Sequence, residues 1–567
     1  MLAADEVDEG IAMLRELVNN TRHDRAQRAQ QLVTLGHLLQ RPELIDEGIA
    51  AVKEALAKPS DDGFGLGYIA RDSANVFVEA GREAEATDLL TSLINKPAPK
   101  QEEGRFAMED DSRRENLIEL AGIHHLAGRH AEVLRLLSES KQWDTEDLAS
   151  IYTETDSRQV PLGQMVAAAL ADAGRVVEAR KIVIAVLQTN GGFDPAYELL
   201  VKLGGDDLLA QLDALYAVDR FQERPLIWKA SALLNAGKIN EAEAAIKKAI
   251  SIDPSDGEQG RGNRMRAYAV LADVLEKKGD QPNAMLYREV VKAIRLSEDA
   301  DQLIHAGLVQ RGVALYRKAL EHFADAYCIQ SRIAIQLAEL GMDEEAERHF
   351  RRAYELMPSS FGRVESHCFG CEGAFRGSKA QSIAQAVFER LIQQQPNNPQ
   401  VHYLLGYLRE QQNRNAEAVT SYRRAVELDP DYLNAWSHLQ SLSEKQQLPQ
   451  AARDAVALNL LRLDPLRRHT HAELDQVSNL KDLWEAASKA ASLTPPKPKS
   501  LYPLKASAEE LTKPKSQQGP EQNFHSNISF HGFPGGEGFA SPGQAIAEHK
   551  VVKALIQIMA YTQLDQP

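Results

Sequence analysis

Cysteine is nearly absent: three residues in a chain of 567 cannot form the disulfide framework of a small secreted scaffold. No run of about 18 apolar residues occurs, so a membrane-spanning helix is not expected. Basic charge is also in deficit, with 65 Lys and Arg against 81 Asp and Glu and a net charge of -16. General nucleic-acid binding would ask for a basic face to meet phosphates, and anionic lipid would ask for the same, so neither partner is expected. The motifs of common catalytic machinery are missing too. There is no G-x-S-x-G, no H-E-x-x-H and no phosphate loop, so no nucleophile, base and orienting group fall together by motif. The expectation is a non-enzymatic protein without cofactor. The first residues, MLAADEVDEGIAML, carry acids where a secretory signal carries basic residues, which favours a cytoplasmic location.

What the chain does have is helical periodicity. Hydrophobic residues make up 43% and charged residues 26%, with frequent Ala, Leu and Glu. The clearest stretch is PQVHYLLGYLREQQNRNAEAVTSYRRAVELDP, residues 399–430. Leu405, Gly406 and Leu408, then Ala418, Tyr422 and Ala425, fall at helical spacing on two successive helices. Asn413-Arg414-Asn415 interrupts the pattern, and Asp429-Pro430 ends it, because the residue before a proline is pushed out of helical geometry. Neither helix can bury its stripe alone, so the hairpin asks for a neighbour of its own kind.

Pro396 and Pro430 are separated by one 34-residue period, and the small and aromatic residues keep fixed slots within it. With Pro399 as slot one, Gly406 takes the eighth slot, Ala418 the twentieth, Tyr422 the twenty-fourth, Ala425 the twenty-seventh and Pro430 the thirty-second. In this the chain resembles the tetratricopeptide repeat (TPR) family, whose unit is a helix-turn-helix of that length. The resemblance implies an all-α fold, a right-handed α-solenoid of about nine to eleven such repeats. Degenerate helical repeats are expected over residues 1–222 and a regular array over 223–465. Capping helices over 466–492 and a Pro- and Lys-rich flexible linker over 493–522 follow. A Gly-rich segment and a C-terminal helix complete the chain over 523–567, the helix opening on a capping box at Ser541, Pro542 and Gln544.

Several constellations invite a functional reading. Cys368 and Cys371, with His367 beside them, have the spacing of a zinc or dithiol site. The repeat phase places both cysteines in core-facing slots, four and seven, and packing is the expectation; a metal- or thiol-dependent protein is the alternative. The glycine-rich 255–266 reads as an insertion between repeats, since it lacks the lysine and hydroxyl residue of a phosphate cradle. The basic pairs Lys247-Lys248, Arg351-Arg352 and Arg423-Arg424 read as a solvated outer face.

In the TPR family partners lie along the inner helices, at the second, fifth, ninth and twelfth slots. Here those slots give Phe369 and Arg376, then Gln400, Tyr403, Tyr407 and Glu410, then Asn434. Aromatic and arginine side chains in a groove suit an extended peptide or a helix of a protein partner. The expected function is therefore an interaction scaffold or adaptor, or an accessory subunit of an enzyme complex. Docking of the chain's own tail from Asn523 onward is a further expectation, because a linker of about 30 residues has ample reach.

Overall fold

The computed structural model describes residues 1–20, 25–57, 66–95, 108–139, 154–218, 222–253, 263–357 and 378–463. After a short 3-10 turn at Leu2–Ala4 the helices are α1 (Val7–Asn20), α2 (Arg25–Leu38), α3 (Pro42–Ala57), α4 (Leu66–Glu79), α5 (Glu83–Ile94), α6 (Met108–Leu126) and α7 (His130–Glu139). They continue as α8 (Leu162–Asp172), α9 (Val176–Thr189), α10 (Asp194–Leu203), α11 (Leu208–Val218), α12 (Arg224–Asn235), α13 (Ile239–Ile252), α14 (Asn263–Lys277) and α15 (Gln281–His305). The remainder are α16 (Val309–His322), α17 (Tyr327–Glu339), α18 (Asp343–Leu356), α19 (Ser378–Gln394), α20 (Pro399–Gln411), α21 (Asn415–Leu428), α22 (Leu433–Ser443) and α23 (Gln450–Leu463). The fold is all-α. Among the described residues the sole β-type pairing is one isolated bridge between Thr155 and Pro161. None of these helices is long and apolar enough to cross a membrane.

Successive helices pack as pairs, for example α2 on α3, α12 on α13, α17 on α18 and α20 on α21. The turn that folds each pair is the same device. At the end of α17 the Gly341 amide donates to the Ala338 carbonyl at 3.0 Å and the Met342 amide to Leu337 at 2.9 Å, with Gly341 at φ 78°. That is a Schellman-type end, which satisfies orphan carbonyls and favours glycine. Asn413 occupies the same position after α20 at φ 59°, and Gln40 and Gln447 do so after α2 and α22 at φ 55° and 47°. The Asp-Pro stop is visible as extended backbone at Asp429, φ -136° and ψ 94°.

Small residues set the spacing of the pairs. Ala86, Ala179, Ala242, Ala346, Ala384 and Ala418 recur at one slot and are all fully buried. A larger side chain there would push the second helix off the first. The basic pairs at 247–248, 351–352 and 423–424 lie exposed, and members of each meet nearby acids: Lys247 with Glu243 at 2.7 Å, Arg352 with Asp325 at 2.6 Å and Arg424 with Glu427 at 3.2 Å.

The chain forms two compact units: Met1–Thr189 with Ala300–Gly312, and Asn190–Asp299 with Val313 onward. In the first, residues 300–312 join the start of the chain. Leu308 is buried in the same core as Val7, Ile11 and Leu14, and Asp5 accepts from Arg311 Nε at 2.6 Å. Residues 464–567, which include the expected capping helices, linker and tail, lie outside the described residues.

Candidate protein-interaction surface

Helices α20 and α22 of the second unit carry Gln400, Tyr403, Tyr407, Glu410 and Asn434, five of the residues singled out by repeat phase. Helix α20 starts where the Asn398 side chain accepts a hydrogen bond from the Gln400 amide at 3.0 Å, with Pro399 at the first helical position. One turn further Tyr403 and Tyr407 share a face, their ring centroids 6.5 Å apart. Gly406 makes the next contact possible. A Cβ on it would stand 2.8 Å from ring carbons of Tyr422, so only glycine lets α21 lay that ring against α20.

His438, from α22, completes the group. Its ring stacks on Tyr422 at 5.0 Å and 16°, meets Tyr407 edge-on at 5.4 Å and lies 5.9 Å from Tyr403, which in turn touches Tyr432 at 5.0 Å. Glu410 ties the rings together. Its Oε2 accepts from the Tyr422 hydroxyl at 2.7 Å and from His438 Nδ1 at 2.9 Å. Burial opposes the Glu410 charge, but the His438 hydrogen bond and charge, the Tyr422 hydroxyl and Lys445 outweigh it and hold the carboxyl below its usual range. Burial, with Glu410 next, pushes the Tyr422 phenol well above its ordinary value, so it remains a donor.

A second polar feature spans three helices of the same unit. Asp194 on α10 accepts from Trp228 Nε1 on α12 at 2.8 Å and from Arg266 Nε on α14 at 3.2 Å. The Arg266 guanidinium lies over the Trp228 ring at 4.1 Å.

Of the residues expected to line the groove, Gln400, Tyr403, Tyr407, Glu410 and Asn434 are brought into this region. The rings are enclosed rather than presented: Tyr403 is 2% exposed and Tyr407 3%, and Gln400 and Asn434 are buried as well. Only Glu410 and its partner His438 keep about a fifth of their side chains open, 20% and 18%. Slot counting on one helix does not register that the next two helices bring Tyr422, Tyr432 and His438 over the same rings. Phe369 and Arg376, and with them Cys368, Cys371 and His367, lie outside the described residues. Among the described residues no group of His, Cys, Asp and Glu is placed to hold a metal.

Sequence reasoning also passed over a buried polar cluster in the first unit, around Glu119, Asp156, Ser157 and Arg158. Its signal was an acid inside an apolar run, Glu119 within NLIELAGI (116–123).

Two stretches of the chain match the tetratricopeptide repeat, residues 224–256 and 382–432, and both fall on the helix pairs described above. The chain carries tetratricopeptide repeats there. Over 224 residues it is 25% identical to the human protein O-mannosyl-transferase TMTC1, a match covering 36% of this chain and 24% of that one. The TPR chain thus spans about a quarter of that relative's length. Yeast Tom70 superposes over 82% of this chain and 92% of its own at 13% identity, with a TM-score of 0.24. YrrB, described as a TPR protein with an unusual peptide-binding site, superposes over 42% and 98% at 14% identity, with a TM-score of 0.15. At such scores the fold assignment rests on the repeat matches and the helix pairs.

Proposed function

We propose that this TPR protein is a non-enzymatic interaction scaffold whose second unit receives a peptide or helix of a protein partner along its inner helices, around residues 400–444. The observation that carries the reading is the aromatic block locked by Glu410 and His438. It is buried, and its partly open edge is a carboxylate paired with an imidazole. An enclosed aromatic block that leaves a carboxylate and an imidazole at its edge suits a partner segment that brings a charged hydrogen-bond donor. Gln400 and Asn434 lie buried near the starts of α20 and α22. Docking of the tail from Asn523 onto the same surface would be self-recognition. The transferase activity in the name of the human relative belongs to that protein, of which this chain matches a quarter.

The test compares partner recovery by wild type and by Glu410→Gln/His438→Gln, both checked by circular dichroism. Partners lost from the folded double variant support the role of that edge. Equal recovery of every partner by both chains refutes it. A chain ending at residue 522 reports on the tail: unchanged stability and partner affinity remove the self-docking reading.

A further inference from the structure

In the first unit α4 and α6 already hold a piece of their own chain. Residues 154–161 form a tight turn just before α8, closed by hydrogen bonds from the Leu162 amide to Glu154 at 2.8 Å and from the Asp156 amide to Val160 at 3.1 Å. Asp156 braces it from inside. Its Oδ1 accepts the Arg158 and Val160 amides at 3.1 and 2.8 Å, and its Oδ2 accepts Arg158 Nη2 at 2.9 Å. At the tip, the Ser157 amide and hydroxyl both donate to Glu119 Oε2 on α6, at 2.9 and 2.8 Å, and the Asn75 Nδ2 of α4 donates to the Ser157 hydroxyl. The turn sits down because α6 has Gly122 there; a Cβ would lie 2.3 Å from Asp156 Oδ2.

The face offers more than the turn uses. Ser157 spends its one hydroxyl proton on Glu119, so Asn75 must meet it with its amide nitrogen, and Asn75 Oδ1 is turned elsewhere. That oxygen, Asn116 Oδ1 and Glu119 Oε1 have no hydrogen-bond partner among the described residues, and all three side chains are at least nine-tenths buried. Arg158 comes no closer to Glu119 Oε1 than 3.9 Å. Arg158 Nη1 of the turn is buried without a hydrogen-bond partner among the described residues as well, so three acceptors and one donor are mismatched, a standing cost that an occupant with better-placed donors would relieve. The charge balance points the same way. Glu119 and Asp156 are buried against a single cation, Arg158, and burial, with Asp156 next for Glu119, raises both carboxyls above their usual range. Ser157 stays exposed at the tip while Asp156 beside it is buried, so the turn is anchored through Asp156 and open at Ser157.

We propose that the α4/α6 face of the first unit is a second recognition site, reading a donor-rich turn in which a hydroxyl residue is followed by Arg or Lys. Residues 154–160 are its built-in occupant, and a partner segment of that chemistry competes with them. Glu119 reads the hydroxyl and the amide, Asn75 fixes the hydroxyl's orientation, and Asn116 and the second Glu119 oxygen take the cationic donors.

The experiment uses the full chain with the turn disarmed by Asp156→Ala/Ser157→Ala/Arg158→Ala, and a labelled synthetic peptide ETDSRQVP read by fluorescence anisotropy. The disarmed chain should bind the peptide at least about tenfold more tightly than wild type, whose site is filled. Adding Glu119→Gln, or changing the peptide's Ser and Arg to Ala, should weaken binding by about tenfold again. A folded, disarmed chain that binds no better than wild type, or that is indifferent to Glu119→Gln, overturns the proposal. If the disarmed chain loses helical signal, hydrogen exchange of wild type decides. Residues 154–160 should open about a hundredfold more often than α6, and equal rates would make the turn an integral part of the core and end the idea.

Discussion

Gly406→Ala should weaken the second unit, although alanine is the better helix former. Replacing a mid-helix glycine gains about 1 kcal/mol of propensity. Against this, the new methyl would stand 2.8 Å from both Cδ1 and Cε1 of Tyr422 and 3.2 Å from Cβ of Ser421. Carbon contacts settle at about 3.5–4.0 Å, so the ring must retreat by roughly 1 Å. Tyr422 has nowhere to go. It is fully buried, its hydroxyl is held by Glu410 at 2.7 Å, and His438 stacks on it at 5.0 Å. Ser421 is pinned as well, accepting from Arg409 Nη1 at 2.6 Å and donating to the Glu417 carbonyl at 3.1 Å. The strain therefore falls on the α20–α21 spacing. Overpacking costs about 1–3 kcal/mol and a loosened hydrogen bond about 1 kcal/mol more, leaving a net loss of about 1–3 kcal/mol.

Repeat arrays open locally, so the readout is hydrogen exchange across residues 399–428, supported by urea unfolding followed by circular dichroism. Exchange there should quicken by about fivefold to a hundredfold, with α2 and α3 unaffected. Tyr422→Leu in the Gly406→Ala background should recover part of the loss, because the clash is gone, giving a non-additive double-mutant cycle. A Gly406→Ala chain as well protected as wild type over 399–428 would refute the reasoning, since helix propensity would then have outweighed the close approach of the ring.

Gln447→Gly and Gln40→Gly should each raise stability by about 1 kcal/mol, seen as a higher urea midpoint, because each relieves a left-handed backbone that an L side chain resists. Asn398→Ala should cost about 1 kcal/mol and speed exchange at the start of α20, since it removes the side chain that accepts the Gln400 amide. Glu410→Gln should cost about 1–3 kcal/mol at neutral pH, because a neutral amide oxygen accepts the Tyr422 and His438 donors more weakly than the carboxylate does. That carboxyl is held low, so its contribution is present at neutral pH and lost as pH falls through its folded value, and the variant should acid-unfold more flatly than wild type. His125 behaves in the opposite chemical sense. Burial, then His130 and Arg158, lower it to about 4, so the unfolded chain takes up a proton first and stability falls between about pH 6.5 and 4, by up to about 3 kcal/mol. His125→Gln should flatten that window in a pH-resolved urea titration.

The period of the fold was legible because it rests on local rules. A glycine for close approach at 406, an alanine at 418 and an aspartate before Pro430 each act within one hairpin, and each does in three dimensions what its spacing implied. Asn413 was legible as a break for the same reason: its left-handed backbone is a property of the turn alone. What could not be read was which inner-face residues remain open. That depends on three helices at once, and Tyr403 illustrates it. Its slot points along the inner face, yet Tyr407 from its own helix, Tyr422 and Tyr432 and then His438 close over it.

The first unit shows the same limit from another side. Nothing local in TDSRQVP (155–161) says that it will be held by Asn75 and Glu119, which stand 82 and 38 residues before Ser157. Yet Glu119 placed in an apolar run was a warning, because a buried carboxylate must find donors. Here it finds them in a turn that fills only part of what the face can offer. A repeat protein's inner surface therefore has to be judged by its unspent hydrogen bonds and not by slot number alone. The two faces differ in what they leave open: the rings around Glu410 pack on one another and leave a narrow edge, whereas the face around Glu119 still has acceptors in hand.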